Sequence, residues 1–276
     1  MEYPNERKTH TQPVPLIGGV VLFISIIILS KIGLIENRFV SDFSFYLIFV
    51  IGILDDIFEL PYYMKLVMQI LVGIIYSRSN LVMITDNYTI DRVATVIWFT
   101  VIMNAFNLID GINGLLLGVS LIYSAFTGSL WLVLPLFILL LFNLDEKIFM
   151  GDSGAFMLSY IFISNNLTNL PTELPKIVIF FGYPIYEITS SFFRRILIKK
   201  NPFKPDRYHL HYIGSEQFGL PVFLILAYSL TLGFVLISSQ KFNWLIYLCI
   251  YAIIFVYQLN FILHAEGMPK RDDGNL

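Results

Sequence analysis

Four short stretches set ionisable side chains at the edges of long apolar runs. They are Asp55 and Asp56 in Gly52-Ile-Leu-Asp-Asp-Ile-Phe-Glu59, Asp110 in Asn104-Ala-Phe-Asn-Leu-Ile-Asp-Gly-Ile-Asn-Gly-Leu115, Asp152 in Phe149-Met-Gly-Asp-Ser-Gly154, and a basic, imidazole-rich stretch from Arg194 to Tyr212. A carboxylate at the centre of a bilayer costs about 2.5–3.5 kcal/mol even on the lenient insertion scale, so acids placed this way need an explanation. Asp55 and Asp56 repel each other and are comfortable only beside a cation, a basic side chain or free water; a solvated helix end accounts for them equally well. In the second stretch Asn104, Asn107 and Asp110 recur every three residues and share one helical face, while Gly111 and Gly114 let the backbone open or approach a ligand. Amides also make polar seams between packed helices, but such a seam has no need of Asp110, which favours a binding surface.

Asp152 opens a helix, where phosphate binds and where an acid can hold a hard cation bridging phosphate oxygens. Taken alone, an ordinary Asp or Ser cap worth about 1 kcal/mol is the better account of it. Arg194 to Lys200 read as anchors that meet anionic headgroups. Asp206, Arg207, His209 and His211 are different, because a guanidinium binds diphosphate oxygens bidentately and an imidazole can donate to a leaving phosphate. Two His one residue apart, among four in the chain, do not make a zinc site without a third ligand.

The elements that must position these groups are membrane helices. Hydrophobic residues make up 57% of the 276 residues and charged ones 14%, with a mean hydropathy of +0.72; this is membrane composition. Apolar runs between polar breaks predict ten helices, at 14–35, 43–57, 63–77, 93–110, 114–128, 130–143, 154–166, 176–193, 220–239 and 243–264. The expected fold is all-α, a single polytopic membrane domain over 1–276, with one substantial loop at 194–219 and a polar tail at 265–276. Several runs are short for a span, which suggests helices reaching only to a water-filled cleft on one side. The polar start, Met1 to Gln12, lacks the apolar core of a cleaved signal peptide, so the first span is expected to target the chain.

A net charge of −2 gives no reason to expect a nucleic-acid partner; the placement of basic residues is more telling. With the amino terminus inside, Lys and Arg favour the cytoplasmic loops roughly two to one, which supports both termini inside. That orientation puts all four stretches on the cytoplasmic side. The single Cys249 rules out an intrachain disulfide.

Together and in this order, the stretches resemble the polyprenyl-phosphate N-acetylhexosamine-1-phosphate transferase family. The likeness runs from Pro4-Asn-Glu-Arg-Lys-Thr-His10 and Pro13-Val-Pro-Leu-Ile-Gly-Gly19, through Asp55-Asp56, Asn104 to Leu115 and Phe149 to Gly154, to Pro205-Asp-Arg-Tyr-His-Leu-His211. Within the family, the Pro-Asp-Arg-x-His-x-His and Arg-Lys-x-His stretches are closer to the enzymes using UDP-N-acetylglucosamine. The resemblance implies a UDP-sugar donor, a polyprenyl phosphate acceptor, Mg²⁺ with Mn²⁺ as an alternative, a cytoplasmic-membrane location, and leaves a homodimer open. It also implies roles by position: Asp152 as main metal ligand with Asn107 as a second, Asp55 on the lipid phosphate, and Asp56 and Asp110 supporting metal and donor. Phe149 and Asn113 would line a uracil pocket, Arg207, His209 and His211 would hold the diphosphate, and Lys8 and His10 would join the substrate site. A secondary transporter is the alternative from another class, but transporter sites lie near the membrane midplane, and here the acids gather at one face.

Overall fold

A computed structural model describes residues 13–35, 38–82, 84–85, 87–169, 174–202, 206–240 and 243–267; Lys8 and His10 lie outside them. Among the described residues the chain is helical throughout. The helices are α1 (Gly18–Lys31), α2 (Arg38–Ser41), α3 (Phe43–Phe58), α4 (Tyr62–Tyr76), α5 (Tyr88–Ile109), α6 (Leu115–Phe126), α7 (Val133–Leu144, entered by a 3₁₀ turn at Leu130–Leu132), α8 (Gly151–Asn169), α9 (Leu174–Phe180), α10 (Gly182–Leu197), α11 (Leu210–Phe218), α12 (Leu220–Ile237) and α13 (Asn243–Gly267).

The centre of the bundle is α8, buried without interruption from Ser153 to Ile163, and α1, α3, α5 and α6 pack around it. A helix with no solvated face is what a core helix requires. Aromatic rings fill the join between α5, α6, α8 and α9, with Tyr123 5.2 Å from Phe181 and 5.6 Å from Phe162. The outward faces are apolar as well: Leu134 is 67% and Ile253 70% exposed. Such a surface is stable only against lipid tails, where each helix satisfies its own backbone. By length and composition α5, α12 and residues Asn243–His264 can cross a membrane, and α1, α4, α6 and Leu130–Leu144 are shorter apolar helices.

Several expected boundaries move, each for a local reason. Residues 14–17 lie outside α1, which starts at Gly18: Pro13 and Pro15 cannot donate backbone hydrogen bonds. The segment instead pairs with the stretch before α8, through Phe149 N to Pro15 O at 3.1 Å and Gly18 N to Phe149 O at 2.9 Å. The expected run 93–110 starts five residues earlier, because the Asn87 side chain accepts from Thr89 and Ile90 N and caps α5. The run 154–166 starts at Gly151, which takes Asp152 and Ser153 into its first turn. The run 176–193 is two helices, and α10 continues to Leu197, so Arg194 and Arg195 stand on a helix. The loop expected at 194–219 is therefore broken up by helix, since α10 takes its first four residues and α11 fills Leu210–Phe218, and α13 runs to Gly267, into the expected tail.

Candidate active site

Five helix ends meet on one side of the bundle: the carboxy-terminal ends of α3, α5 and α10 and the amino-terminal ends of α4 and α8. Asp55 and Asp56 close α3 and diverge in use. Asp56 reaches the amino terminus of α8, where Oδ1 accepts from Asp152 N at 2.7 Å and Oδ2 from Ser153 N at 3.2 Å and Ser153 Oγ at 2.6 Å. The cap of α8 is thus supplied by another helix, and Asp152 is released from that duty. Gly151, with φ +69°, makes the turn into α8, and a methyl group there would lie 2.5 Å from Asp56 Oδ1. Gly52 sets the approach one turn earlier: its added methyl would fall 2.2 Å from Ser153 Cα.

Asp55 is tied at Oδ1 by Leu60 N at 2.9 Å, and its Oδ2 lies 2.6 Å from Lys65 Nζ. The same ammonium is 2.9 Å from Asp152 Oδ2, and Asn107 Nδ2 donates to Asp152 Oδ1 at 2.7 Å. Asp55, Lys65, Asn107 and Asp152 are therefore one connected group, with Asp56 directly behind it. One layer deeper, Asn104 donates to Gln69 Oε1 at 2.5 Å. This continues the polar face of α4 and α5 into the bundle.

Among the described residues no three His, Cys, Asp or Glu side chains form a ready metal cage. Two carboxylates converge instead on a single ammonium. That donor set fits Mg²⁺, a hard cation that keeps several waters and takes one or two protein carboxylates together with substrate phosphates. Asn107 presents its N–H to Asp152 here; as a ligand it would turn its amide oxygen.

Asp110 caps α5, its N–H bonded to Asn107 O at 3.3 Å, and the turn beyond it is fixed by Asn143. That buried amide accepts from Gly114 N at 2.6 Å and donates to Ile148 O at 3.0 Å, so it joins the 110–114 turn to the loop that carries Phe149. Asn113 meets the same loop at Glu146 Oε1, 3.4 Å away, and Phe149 is half-buried three residues on.

The 206–212 stretch reaches the same turn from the other side. A methyl group at Gly111 would lie 2.8 Å from both His211 Nε2 and Tyr212 Oη. The exposed Arg207 holds its guanidinium 5.5 Å from the Tyr212 ring centre. Asp206 is gripped by two cations, with Arg194 donating to both its oxygens at 2.8 and 3.0 Å and Arg195 Nε to Oδ2 at 2.9 Å. Burial alone would raise its carboxyl, but these bonds hold it well below the usual carboxylate range. His209 is 4% exposed, with Nδ1 2.8 Å from Ser191 Oγ and Nε2 3.4 Å from Arg195. Burial, with the His211 ring stacked against it, pushes its imidazole down to about 3.

The sequence treats His209 and His211 alike; the structure separates them, since both nitrogens of His209 are engaged inside the protein. Three residues at the site escaped the sequence reading. Lys65 is one of the basic residues whose bias sets the expected orientation, and a lysine opening the helix after an acid pair is a usable signal for more. Glu187 was an acid within an apolar run and needed the same explanation as the others. Asn143 carried no signal beyond polarity at the end of an apolar run.

Residues 39–168 match the family model described as Glycosyl transferase family 4. The chain is 35% identical to an undecaprenyl-phosphate alpha-N-acetylglucosaminyl 1-phosphate transferase of Thermotoga maritima, over 100% of this chain and 91% of that protein. It is 28% identical to a probable undecaprenyl-phosphate N-acetylglucosaminyl 1-phosphate transferase of Bacillus subtilis, over 94% and 83%. To an undecaprenyl-phosphate alpha-N-acetylglucosaminyl 1-phosphate transferase of Escherichia coli K12 it is 26% identical, over 77% and 68%.

Proposed function

Because the chain belongs to glycosyl transferase family 4, we propose that it transfers a sugar-1-phosphate, N-acetylglucosamine 1-phosphate first among candidates, from a UDP-sugar to undecaprenyl phosphate. UMP is released, at the cytoplasmic face of the cell membrane, as the first membrane step of a cell-envelope glycan. The observation that carries this reading is the placement of Asp152 between Lys65 and Asn107, in a chain similar over its whole length to a transferase of that name. Ten spans with the five helix ends facing the cytoplasm would give the donor access from water and the lipid access from the bilayer.

In the reaction an oxygen of the lipid phosphate attacks the β-phosphorus of the donor. The bond from that phosphorus to the bridging oxygen breaks, and UMP departs with that oxygen. One phosphoanhydride replaces another, so the work is in-line positioning and neutralisation of the transferring oxygens. Asp152 and Asn107 are the residues that would hold Mg²⁺, which when bound neutralises diphosphate oxygens that bare carboxylates would repel. Lys65 would bring a second positive charge to the same oxygens. Asp55, fixed by Leu60 N and Lys65, would orient the lipid phosphate, and Asp56 would keep the α8 terminus in place. Arg207 and His211 would meet the diphosphate from the far side of the Asp110–Gly111 turn, with Phe149 and Asn113 toward the uracil.

The test is UMP release by purified protein given undecaprenyl phosphate and a panel of UDP-N-acetyl sugars, with Mg²⁺ and with EDTA. Metal-dependent release with one sugar is expected. Folded protein that releases no UMP from any of them would overturn the reading.

A further inference from the structure

Glu187 stands on α10 with no exposed surface, and no lysine or arginine answers its charge among the ion pairs of the described residues. Its Oε1 accepts from Tyr183 Oη at 3.1 Å and from the backbone N of His211 at 3.0 Å, and lies 3.1 Å from His211 Nδ1. Its Oε2 accepts from Leu210 N at 3.2 Å. Two of these bonds cap the amino terminus of α11, which favours a carboxylate. A cap needs no imidazole, however, and His211 Nδ1 is aimed at the same oxygen.

The other end of that ring is the telling one. His211 is fully buried, and its Nε2 has no hydrogen-bond partner among the described residues. Buried polar atoms are almost always paired, so an orphan in a well-knit network marks a place where something else completes the bond. Nε2 lies directly under Gly111, an exposed residue one step beyond Asp110. His209, stacked on the same ring at 5.3 Å, has no such open atom.

We propose that Glu187 is a positioning residue: by accepting a hydrogen bond from Nδ1–H of His211 it fixes the ring and turns Nε2 toward the Asp110–Gly111 turn, where Nε2, protonated beside the anion, donates to the diphosphate of the sugar nucleotide. A carboxylate facing Nδ1 requires a proton on that nitrogen, so any proton the ring gains beside an anion goes to Nε2. The second partner of an imidazole sets what its first can do, as it does for metal-bound histidines. This inference rests on the transfer reading above.

The experiment uses full-length protein in detergent with ¹⁵N-labelled histidine, few enough at four residues to resolve, with signals assigned from His209→Gln and His211→Ala. His211 should show a protonated Nδ1, and UDP should shift its Nε2 signal. Glu187→Gln can offer an amide N–H to Nδ1 but no charge, so the neutral Nε2-protonated form should appear in place of a ring protonated on both nitrogens beside the anion, and KM for the UDP-sugar should rise about tenfold, the scale of one charge-assisted hydrogen bond. KM for undecaprenyl phosphate should hold within about twofold. Glu187→Asp should recover part of the loss, and Glu187→Gln added to His211→Ala should cost nothing more than His211→Ala alone. An unchanged tautomer in Glu187→Gln, losses that multiply, or both KM values rising together would overturn the proposal and leave Glu187 as a helix cap. If Glu187→Gln does not fold, Gly111→Ala decides: its methyl meets Nε2 with Glu187 untouched, and an unchanged UDP-sugar KM would sink the idea. Failure of the transfer reading looks different, because wild type would then release no UMP whatever the tautomer.

Discussion

On one side of the α5 terminus two carboxylates, Asp55 and Asp152, share the single ammonium of Lys65, with a third, Asp56, behind them on the α8 terminus, and the Asp152 side chain keeps 19% of its surface open. On the other side two carboxylates, Glu187 and Asp206, meet two guanidiniums and two imidazoles, with Arg194 at 0% exposure. The first region has more negative charge than its own cation neutralises and sits at the edge of water; the second is closed on itself. Charge left unbalanced beside solvent is charge that a ligand can complete, whereas a buried, balanced network holds shape. The difference suits the acidic group to exchangeable chemistry and the basic loop to framework, with Arg207 as the exposed part of the loop and His211 Nε2 as its unpaired buried atom.

The largest effect should come from the open region and should spare stability. Asp152→Asn keeps a side chain that can bond Asn107 and relieves the repulsion with Asp55. UMP release should fall about 10²–10³-fold, the size seen when one group stabilising transition-state charge is removed, while the thermal midpoint in detergent stays close to wild type. Activity within about tenfold of wild type would erase the distinction between the regions, because Asp152 would then be as structural as Asp206.

The closed region should respond the other way. Asp206→Ala leaves Arg194, which has no exposed surface, without its bidentate partner. Breaking a buried pair from one side costs roughly 3–5 kcal/mol, less here because Asp206 itself is 20% exposed. The readout is the thermal midpoint of purified protein, with activity lost only in step with folding. A variant that keeps its midpoint and loses turnover would move Asp206 out of the frame and into the chemistry.

Much of this contrast could be read from the chain, and the unread part has a physical cause. Asp55, Asp56, Asn107 and Asp152 stood out because acids bordering apolar runs are expensive, and the all-helical fold followed from the same runs. Which acid does what could not be read. Asp55 and Asp56 are neighbours in sequence, yet helical geometry turns one to Lys65 and the other to the α8 terminus. Asp152 looked like a cap because helix starts attract acids, and only the approach of α3 through Gly52 shows that Asp56 has taken that place. The 194–219 stretch read as loop because its Asn-Pro and Lys-Pro steps are breakers; a buried acid on α10, distant in sequence, supplies the cap that lets α11 form.

The smallest effect tests the frame through pH. In the folded chain burial holds His209 neutral down to about 3, against an ordinary value of 6.5. Between those limits the unfolded chain binds the extra proton, so the contribution of His209 to stability is complete above 6.5 and is lost as pH falls toward 3. Asp206, held below its ordinary 3.8, contributes in full above that value and weakens only at lower pH. The window from about 6.5 to 4 therefore separates the two. Groups common to both proteins cancel when wild type is compared with His209→Gln. The wild-type midpoint should fall more steeply across that window than the variant's, by a margin smaller than the loss in Asp206→Ala. Parallel slopes would mean that His209 titrates as it does in water. The basic loop would then open to solvent like the acidic group, and the two regions would differ in composition without differing in kind.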